Sequence, residues 1–319
     1  MTINTSSFLC FKRETTAGTA IITAVNTPTY FLGKYSKDIR ESSAPTVENV
    51  VENYYDNTTR NPTGVYGNKE YPIYPTSFHP CSPMGDFMFL GDATEGTPST
   101  IQTKATGKKE AYDLRHEARE GTNQLRQAVG SWCVGIENTW EANKDMLTKL
   151  IWVFQDLEDN GDRPSLTTLP VIPESIGTAY TGKPTVTWDV GGGGEVALPE
   201  IWKVKMAASQ NYSINELGDE QEINLHELQS VNLMLVGLLR DNNQWNALQD
   251  QTTHDVNIKV YKGDTTLFAT WKFVNCKITK LTKQGMIDEG FYLQTITLSA
   301  EKYTVEWADE WGANFSDWM

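Results

Sequence analysis

The chain has 319 residues, 39% of them hydrophobic and 21% charged, which suffices for one large all-β domain or two domains of ordinary size and excludes a disordered chain. Its 41 acidic and 27 basic side chains give a formal net charge of -14, which argues against a protein that grips nucleic acid by neutralising phosphates; the same excess suits a surface lying near DNA without adhering, or simply a soluble one. Cys10, Cys81, Cys133 and Cys276 form no C-x-x-C pair, which excludes a zinc framework or dense disulfide scaffold and leaves buried free thiols, and no stretch approaches the roughly 18 apolar residues of a membrane span.

Residues 8–32 read as short strands and turns, punctuated by Gly18 and Pro28 and anchored by Ile21, Ile22 and Val25. Residues 40–100 look irregular, with prolines at 45, 62, 72, 75, 80, 83 and 98 and tyrosines at 54, 55, 66, 71 and 74. A loop of that length is functional or is ordered by a neighbouring subunit. The tyrosines favour the neighbour, since Tyr gives large contact area at low rotamer entropy. Within this stretch Met84–Leu90 (MGDFMFL) is predicted as a short helix with Gly91 as its C-cap. Residues 103–127 are polar, with mixed charge, and read as an exposed connection.

Strand patterning begins at Trp132, where Trp132, Val134 and Ile136 alternate with small or polar residues. Residues 150–154 (LIWVF) have the composition of a buried strand, although Met146, Leu147, Leu150, Ile151 and Phe154 also fit a helix. Residues 160–184 are rich in Pro, Gly and Thr, and Gly191 to Gly194 mark a turn or flexible loop. Trp202, Val204 and Met206 then repeat the earlier alternation, and the apolar run 231–239 repeats 150–154, which suggests an ancient duplication. Residues 240–249 are predicted as an internal helix. The clearest strands follow, with Val256, Ile258 and Val260, then Leu267, Ala269, Trp271 and Phe273, and finally Tyr292, Ile296 and Leu298 on alternate positions. The organisation is an N-terminal arm with the first strands (1–40), an irregular loop region with a short helix (41–128), a β-sandwich core (129–306, with a linker at 160–200) and a C-terminal arm (307–319) carrying Trp307, Trp311 and Trp318.

No pattern marks a catalytic centre, so the chain reads as a non-enzyme without cofactor or metal. His116-Glu117 lacks the second histidine of a zinc site one helical turn on, and His79, His226 and His254 have no nucleophile context. The glycine run is followed by Glu195 rather than the Lys-Ser/Thr of a phosphate loop. Glu216, Asp219, Glu220 and Glu222 crowd one segment, which reads as a solvated loop more readily than as a glycosidase pair. Lys272 falls on the strand face opposite Trp271 and Phe273, which is ordinary amphipathicity rather than a nucleic-acid stacking site. Ten tryptophans among exposed acids also admit a carbohydrate-binding, adhesin-like sandwich. The first residues lack a basic start followed by an apolar stretch, so synthesis in the cytoplasm without a targeting signal is expected.

The opening Glu14-Thr-Thr-Ala-Gly18-Thr-Ala20, then Pro28-Thr-Tyr-Phe-Leu-Gly33, resembles the start of the tail tube proteins of long-tailed bacterial or archaeal viruses. Residues 129–137 (VGSWCVGIE), 201–212 (IWKVKMAASQNY) and 268–298 resemble, in order, the paired core strands and closing strands of that family. The resemblance implies a mainly β sandwich or barrel with a short flanking helix and long arms. It implies a virion structural protein whose rings, commonly hexameric, stack into a conduit for genome delivery. DNA then passes through without specific binding, and the partners are other copies of the chain with tape measure, tail-terminator and baseplate proteins. On that reading Tyr54, Tyr55, Tyr71, Tyr74, Trp307, Trp311 and Trp318 are candidate subunit contacts, and Glu216, Asp219, Glu220 and Glu222 are candidate lumen acids.

Overall fold

The computed structural model describes residues 7–22, 30–31, 33–34, 49–55, 62–69, 74–80, 83–94, 96, 98–105, 109–118, 124–159, 184–190, 194–198, 200–217, 220–239, 250–262, 266–287 and 291–307. In chain order the strands are β1 (Ser7–Arg13), β2 (Tyr30–Phe31), β3 (Gly33–Lys34), β4 (Asn49–Tyr55), β5 (Pro62–Lys69) and β6 (Tyr74–Pro80). Helix α1 (Met84–Leu90) leads into β7 (Gly91–Thr94), β8 (Ser99–Thr103), β9 (Tyr112–Ala118), β10 (Gln124–Glu141), β11 (Leu147–Val153) and β12 (Asp156–Asp159). The remainder comprises β13 (Thr185–Val190), β14 (Glu195–Ala197), β15 (Ile201–Leu217), β16 (Glu220–Leu239), β17 (Thr253–Lys262), β18 (Thr266–Ile287), β19 (Phe291–Ala300) and β20 (Lys302–Trp307).

The chain is a mainly antiparallel β protein, rolled into a barrel. Its ladder branches at two long strands. The first half of β10 pairs with β9 and β12, and its second half pairs with β11 and β15. The first half of β18 lies between β17 and β20, and its second half pairs with β19, which continues through β16 to β15. A strand this long serves two sheets by bending at bulges, where an extra residue breaks the ladder and sharpens the twist.

Period-two patterning builds the core. Val256, Ile258 and Val260 of β17 are fully buried, and so are Ala269 and Phe273 of β18, while Lys272 between them pairs with Glu306 at 2.5 Å on the outer side. In β10 the phase changes at a bulge between Cys133 and Gly135. Cys133 and Ile136 therefore join the main core, whereas Trp132 and Val134 join a second cluster with Val153 and Ile223. A bulge between Ile201 and Lys203 likewise leaves Trp202 half-buried while Ile201, Val204 and Met206 are buried.

Helix α1 is apolar on nearly every side, and all seven of its residues are buried within the main core. It ends at Gly91, whose φ of 86° places it in the left-handed region that glycine reaches without Cβ strain, and the Gly91 N–H donates to the Phe87 carbonyl. Lys109 supplies a cation at that helix end. Its Nζ donates to the Phe89 carbonyl and lies 4.7 Å from the Phe89 ring centre.

The irregular reading of 40–100 gives way to ordered strands there, because β4 pairs with β5, and β6 pairs with β11, in spite of their prolines. Pro75 and Pro80 fit because β6 is a short strand whose bulk pairing is to one side, with, among the described residues, only Gly33 and Lys34 of β3 across its end. The polar stretch 103–127 is not simply an exposed connection, since it contains β9 with Asp113, Leu114 and Arg115 fully buried. The predicted helix 240–249, residues 160–183 of the predicted linker 160–200 and residues 308–319 of the predicted C-terminal arm 307–319 lie outside the described residues, and the rest of that linker holds β13 and β14.

Candidate functional site

Two strand pairs lie outside the main ladder of strand pairing. Pairing of β15 with β10 ends at Ser209, and pairing of β16 with β19 ends at Val231. Beyond those points, among the described residues, β15 and β16 pair only with each other, out to Leu217 and Glu220, for roughly 30 Å of strand. Bulges at Ser209, Gln210 and Tyr212 bend this arm at its root. The Ser209 and Ser230 hydroxyls meet there at 3.0 Å, and farther out Ile223, opposite Ile214, is buried in a cluster with Trp132, Val134 and Val153 against which Tyr212 and Leu225 are partly buried, so the pair packs back on the body. From residue 210 to 228 the arm carries Glu216, Asp219, Glu220, Glu222 and Glu227 and neither lysine nor arginine. The candidate lumen acids Glu216, Glu220 and Glu222 thus sit at the end of the arm, and Asp219 lies outside the described residues.

The second pair is β4–β5, a separate two-stranded sheet. Tyr54 lies opposite Gly64 and Tyr55 opposite Pro62. Tyr74 opens β6 opposite Trp152, and Tyr71 lies outside the described residues. Trp307, the last residue of β20, is 6% exposed and faces the core between Ala269 of β18 and Ser99 of β8. Trp311 and Trp318 lie outside the described residues.

Where β10 bends, a polar corner fastens the N-terminal segment. Glu14 is 4% exposed; its Oε1 accepts the Gly130 N–H and its Oε2 the Gly18 N–H, each at 2.7 Å. Asp113 Oδ2 accepts the Ile21 and Ile22 N–H groups, both at 2.8 Å, and Gln127 Nε2 donates to both oxygens of the same carboxylate. Burial is the main cause that lifts the Glu14 carboxyl to about 7, its two N–H donors acting against this and the nearby Asp113 charge adding to it. Sequence reasoning singled out the Glu14 to Ala20 segment without foreseeing this role. The signal was the spacing itself, an acid four residues before a glycine.

A second buried acid, Asp86 of α1, was missed outright. Its Oδ1 accepts Trp271 Nε1 at 3.1 Å, Asn138 Nδ2 at 3.3 Å and the Tyr303 hydroxyl at 3.3 Å, and Thr148 donates in turn to Asn138 at 2.6 Å. This network ties the helix to β10, β11, β18 and β20.

The histidines do not converge. His79 Nδ1 lies 2.9 Å from the Met146 carbonyl, and His226 Nε2 lies 3.1 Å from Ser213 Oγ. His116 falls on β9 opposite Leu9 and Arg126. His254 stacks on Trp188 with ring centres 4.8 Å apart, and burial favours its neutral form. Among the described residues no three His, Cys, Asp or Glu side chains are grouped to hold a metal ion, and no helix is long and apolar enough to cross a membrane. Glu195 accepts from Thr187, Asn257 and Lys259 and braces the β13–β14 hairpin against β17. Six of the ten tryptophans, Trp132, Trp140, Trp152, Trp188, Trp271 and Trp307, are buried, which removes them as stacking platforms for a sugar.

No protein-family model matches the sequence. No curated protein matches it either. Among solved structures the chain is similar in part to the tube terminating cap of the anti-feeding prophage, with 17% identity and a TM-score of 0.32 over 39% of this chain and 88% of that one. It is similar to a chain of the sheath-tube complex of an extracellular contractile injection system in its extended state, with 18% identity and a TM-score of 0.33 over 39% of this chain and 88% of that one. It also overlaps the Hcp1 protein of E. coli EAEC 042, with 14% identity and a TM-score of 0.26 over 40% of this chain and 91% of that one. These overlays are partial, and the fold class rests on the strand pairing itself.

Proposed function

We propose that the chain is a non-enzymatic structural subunit of a tail tube, which closes into rings, commonly hexameric, that stack into a hollow conduit. The observation that carries this reading is the pair of two-stranded ladders with no further strand beside them among the described residues, β4–β5 and the outer part of β15–β16. An isolated two-stranded sheet is marginal in water, and its unpaired N–H and C=O groups invite a further strand. A second copy of the chain supplies one. A contact between different surfaces of two copies closes into a ring if its rotation closes, and a second contact that does not close stacks the rings.

On this reading Tyr54, Tyr55, Tyr71, Tyr74, Trp311 and Trp318 contribute to contacts between copies. The acids of the β15–β16 arm, Glu216, Asp219, Glu220 and Glu222, face the lumen, where they repel a phosphate backbone over about 8 Å at physiological salt and let DNA slide. The particle is a virus tail, completed by tape measure, tail-terminator and baseplate proteins.

Electron microscopy of the purified protein over a concentration series tests the proposal. Stacked rings with a channel wide enough for duplex DNA are expected. Compact monomers or dimers at every concentration, even with an assembly initiator present, would overturn it.

A further inference from the structure

Residues 14–22 cross the corner at which β10 passes from one sheet to the other, and they are fastened there by carboxylates from two strands. Glu14, at the end of β1, ties Gly130 of β10 to Gly18, and Asp113 of β9 ties the backbone of Ile21 and Ile22. Ile22 is fully buried and serves as the anchor at the far end of the segment. Further along, β2 and β3 are two residues each. Among the described residues little regular pairing holds the chain between β1 and β4, and the corner is its main fastening.

The chemistry at Glu14 is unusual for an acid so far from water. It meets two neutral N–H donors, and the charged group acting on it is Asp113, of the same sign. Arg13, its neighbour in sequence, is turned to Glu110 at 3.0 Å. Among the described residues, β10 brings the Gly130 amide and the turn after β11 the neutral side chain of Gln155, which packs over both Gly18 and Gly130. Burial away from water and from any cation favours the protonated carboxyl, and outweighs the two N–H donors, which favour the ionised one.

We propose that residues 14–22 form a proton-controlled strap, held down while Glu14 is protonated and loosened when that proton is lost. Opening brings the carboxylate into water, where it ionises at its ordinary value of 4.5 rather than about 7. Opening thus releases a proton between those two values, so the strap is tightest near pH 5, loosens as pH rises to about 7 and changes little above it. This holds for the single subunit and does not depend on the tube reading. In an assembling subunit, it makes the release of the N-terminal segment a function of pH.

Amide hydrogen exchange, read by mass spectrometry on peptides covering residues 14–22 of the full chain and corrected for intrinsic exchange, tests the strap. Protection is expected to fall by up to about two orders of magnitude between pH 5 and 7 and then to level off. Glu14→Gln is expected to flatten that dependence. An NMR titration of the Glu14 side-chain carboxyl in the unmutated protein gives an independent reading should the variant fold poorly, with an expected midpoint near 7. Protection that does not change from pH 5 to 7, a variant with the same slope as the unmutated chain, or a Glu14 midpoint near 4.5 each overturns the proposal.

Discussion

The Trp271 indole donates its N–H to Asp86 Oδ1 at 3.1 Å, joining residues 185 positions apart in the interior of the barrel. The same oxygen takes bonds from Asn138 and Tyr303, so one buried carboxyl satisfies donors from three strands. Replacing it with a methyl group strands all three. Asp86→Ala is expected to lower stability by about 3 kcal/mol or more in urea unfolding, since each buried unsatisfied donor costs roughly 1–3 kcal/mol. Asp86→Asn keeps the accepting oxygen and is expected to lose clearly less. Equal losses in the two variants would mean that packing, not the acceptor, is what Asp86 provides.

Burial raises the Asp86 carboxyl from 3.8 to about 7, its hydrogen bonds from Trp271, Tyr303 and Asn138 opposing the shift. Between those values the folded chain holds a proton that the unfolded chain has released. Stability from this group is therefore greatest at low pH, declines as pH rises toward 7 and is level above it. The difference in unfolding free energy between the unmutated chain and Asp86→Asn is expected to shrink by up to about 1.4 kcal/mol per pH unit in that window. Urea unfolding at pH 5, 6, 7 and 8 measures it, and a difference that grows with pH would contradict the assignment.

How far the sequence carried depended on whether its pattern was local. Strands β17 and β18 were legible because Val256, Ile258, Val260, Trp271 and Phe273 keep an unbroken period of two, and α1 was legible because Gly91 ends it. Strand β9 was not, because Asp113 and Arg115 put charged side chains into the interior and gave the segment the composition of a loop. Bulges defeated the alternation elsewhere. Trp132 and Ile136 look like neighbours on one face, yet the extra residue between Cys133 and Gly135 sends them to different clusters. Pairings such as β20 with both β18 and β8 are long-range and leave no local trace. The arm acids were visible as a cluster, but that they lie at the end of a two-stranded arm follows only from where pairing with β10 and β19 stops.

The thiols give a test of the core. Cys10, Cys133 and Cys276 are buried thiols, and burial is the leading cause that pushes Cys133 and Cys276 up to about 12. A thiol that is neutral and out of reach is a poor nucleophile. These three are expected to be silent toward a disulfide exchange reagent at pH 8 in the native protein and to react in full after denaturation. Mass mapping of the labelled cysteines identifies each site, and fast native labelling of Cys133 would show that the cluster around α1 opens.

Gly130 tests the corner from the backbone side. Its φ of 60° is a conformation that L side chains adopt at a cost of about 1–2 kcal/mol. An added Cβ would also stand 2.5 Å from Gln155 Oε1, while the Gln155 N–H is held by the carbonyls of Val129 at 3.0 Å and Gly130 at 3.2 Å. The Gln155 backbone is therefore fixed, and only its side chain can give way. Gly130→Ala is expected to cost about 2 kcal/mol, the sum of a conformational part and a steric part. In a Gln155→Ala background the steric part disappears and about 1 kcal/mol remains, so the double-mutant cycle should show a coupling of about 1 kcal/mol. Additive losses would place the whole cost in the backbone and would show that Gln155 yields freely.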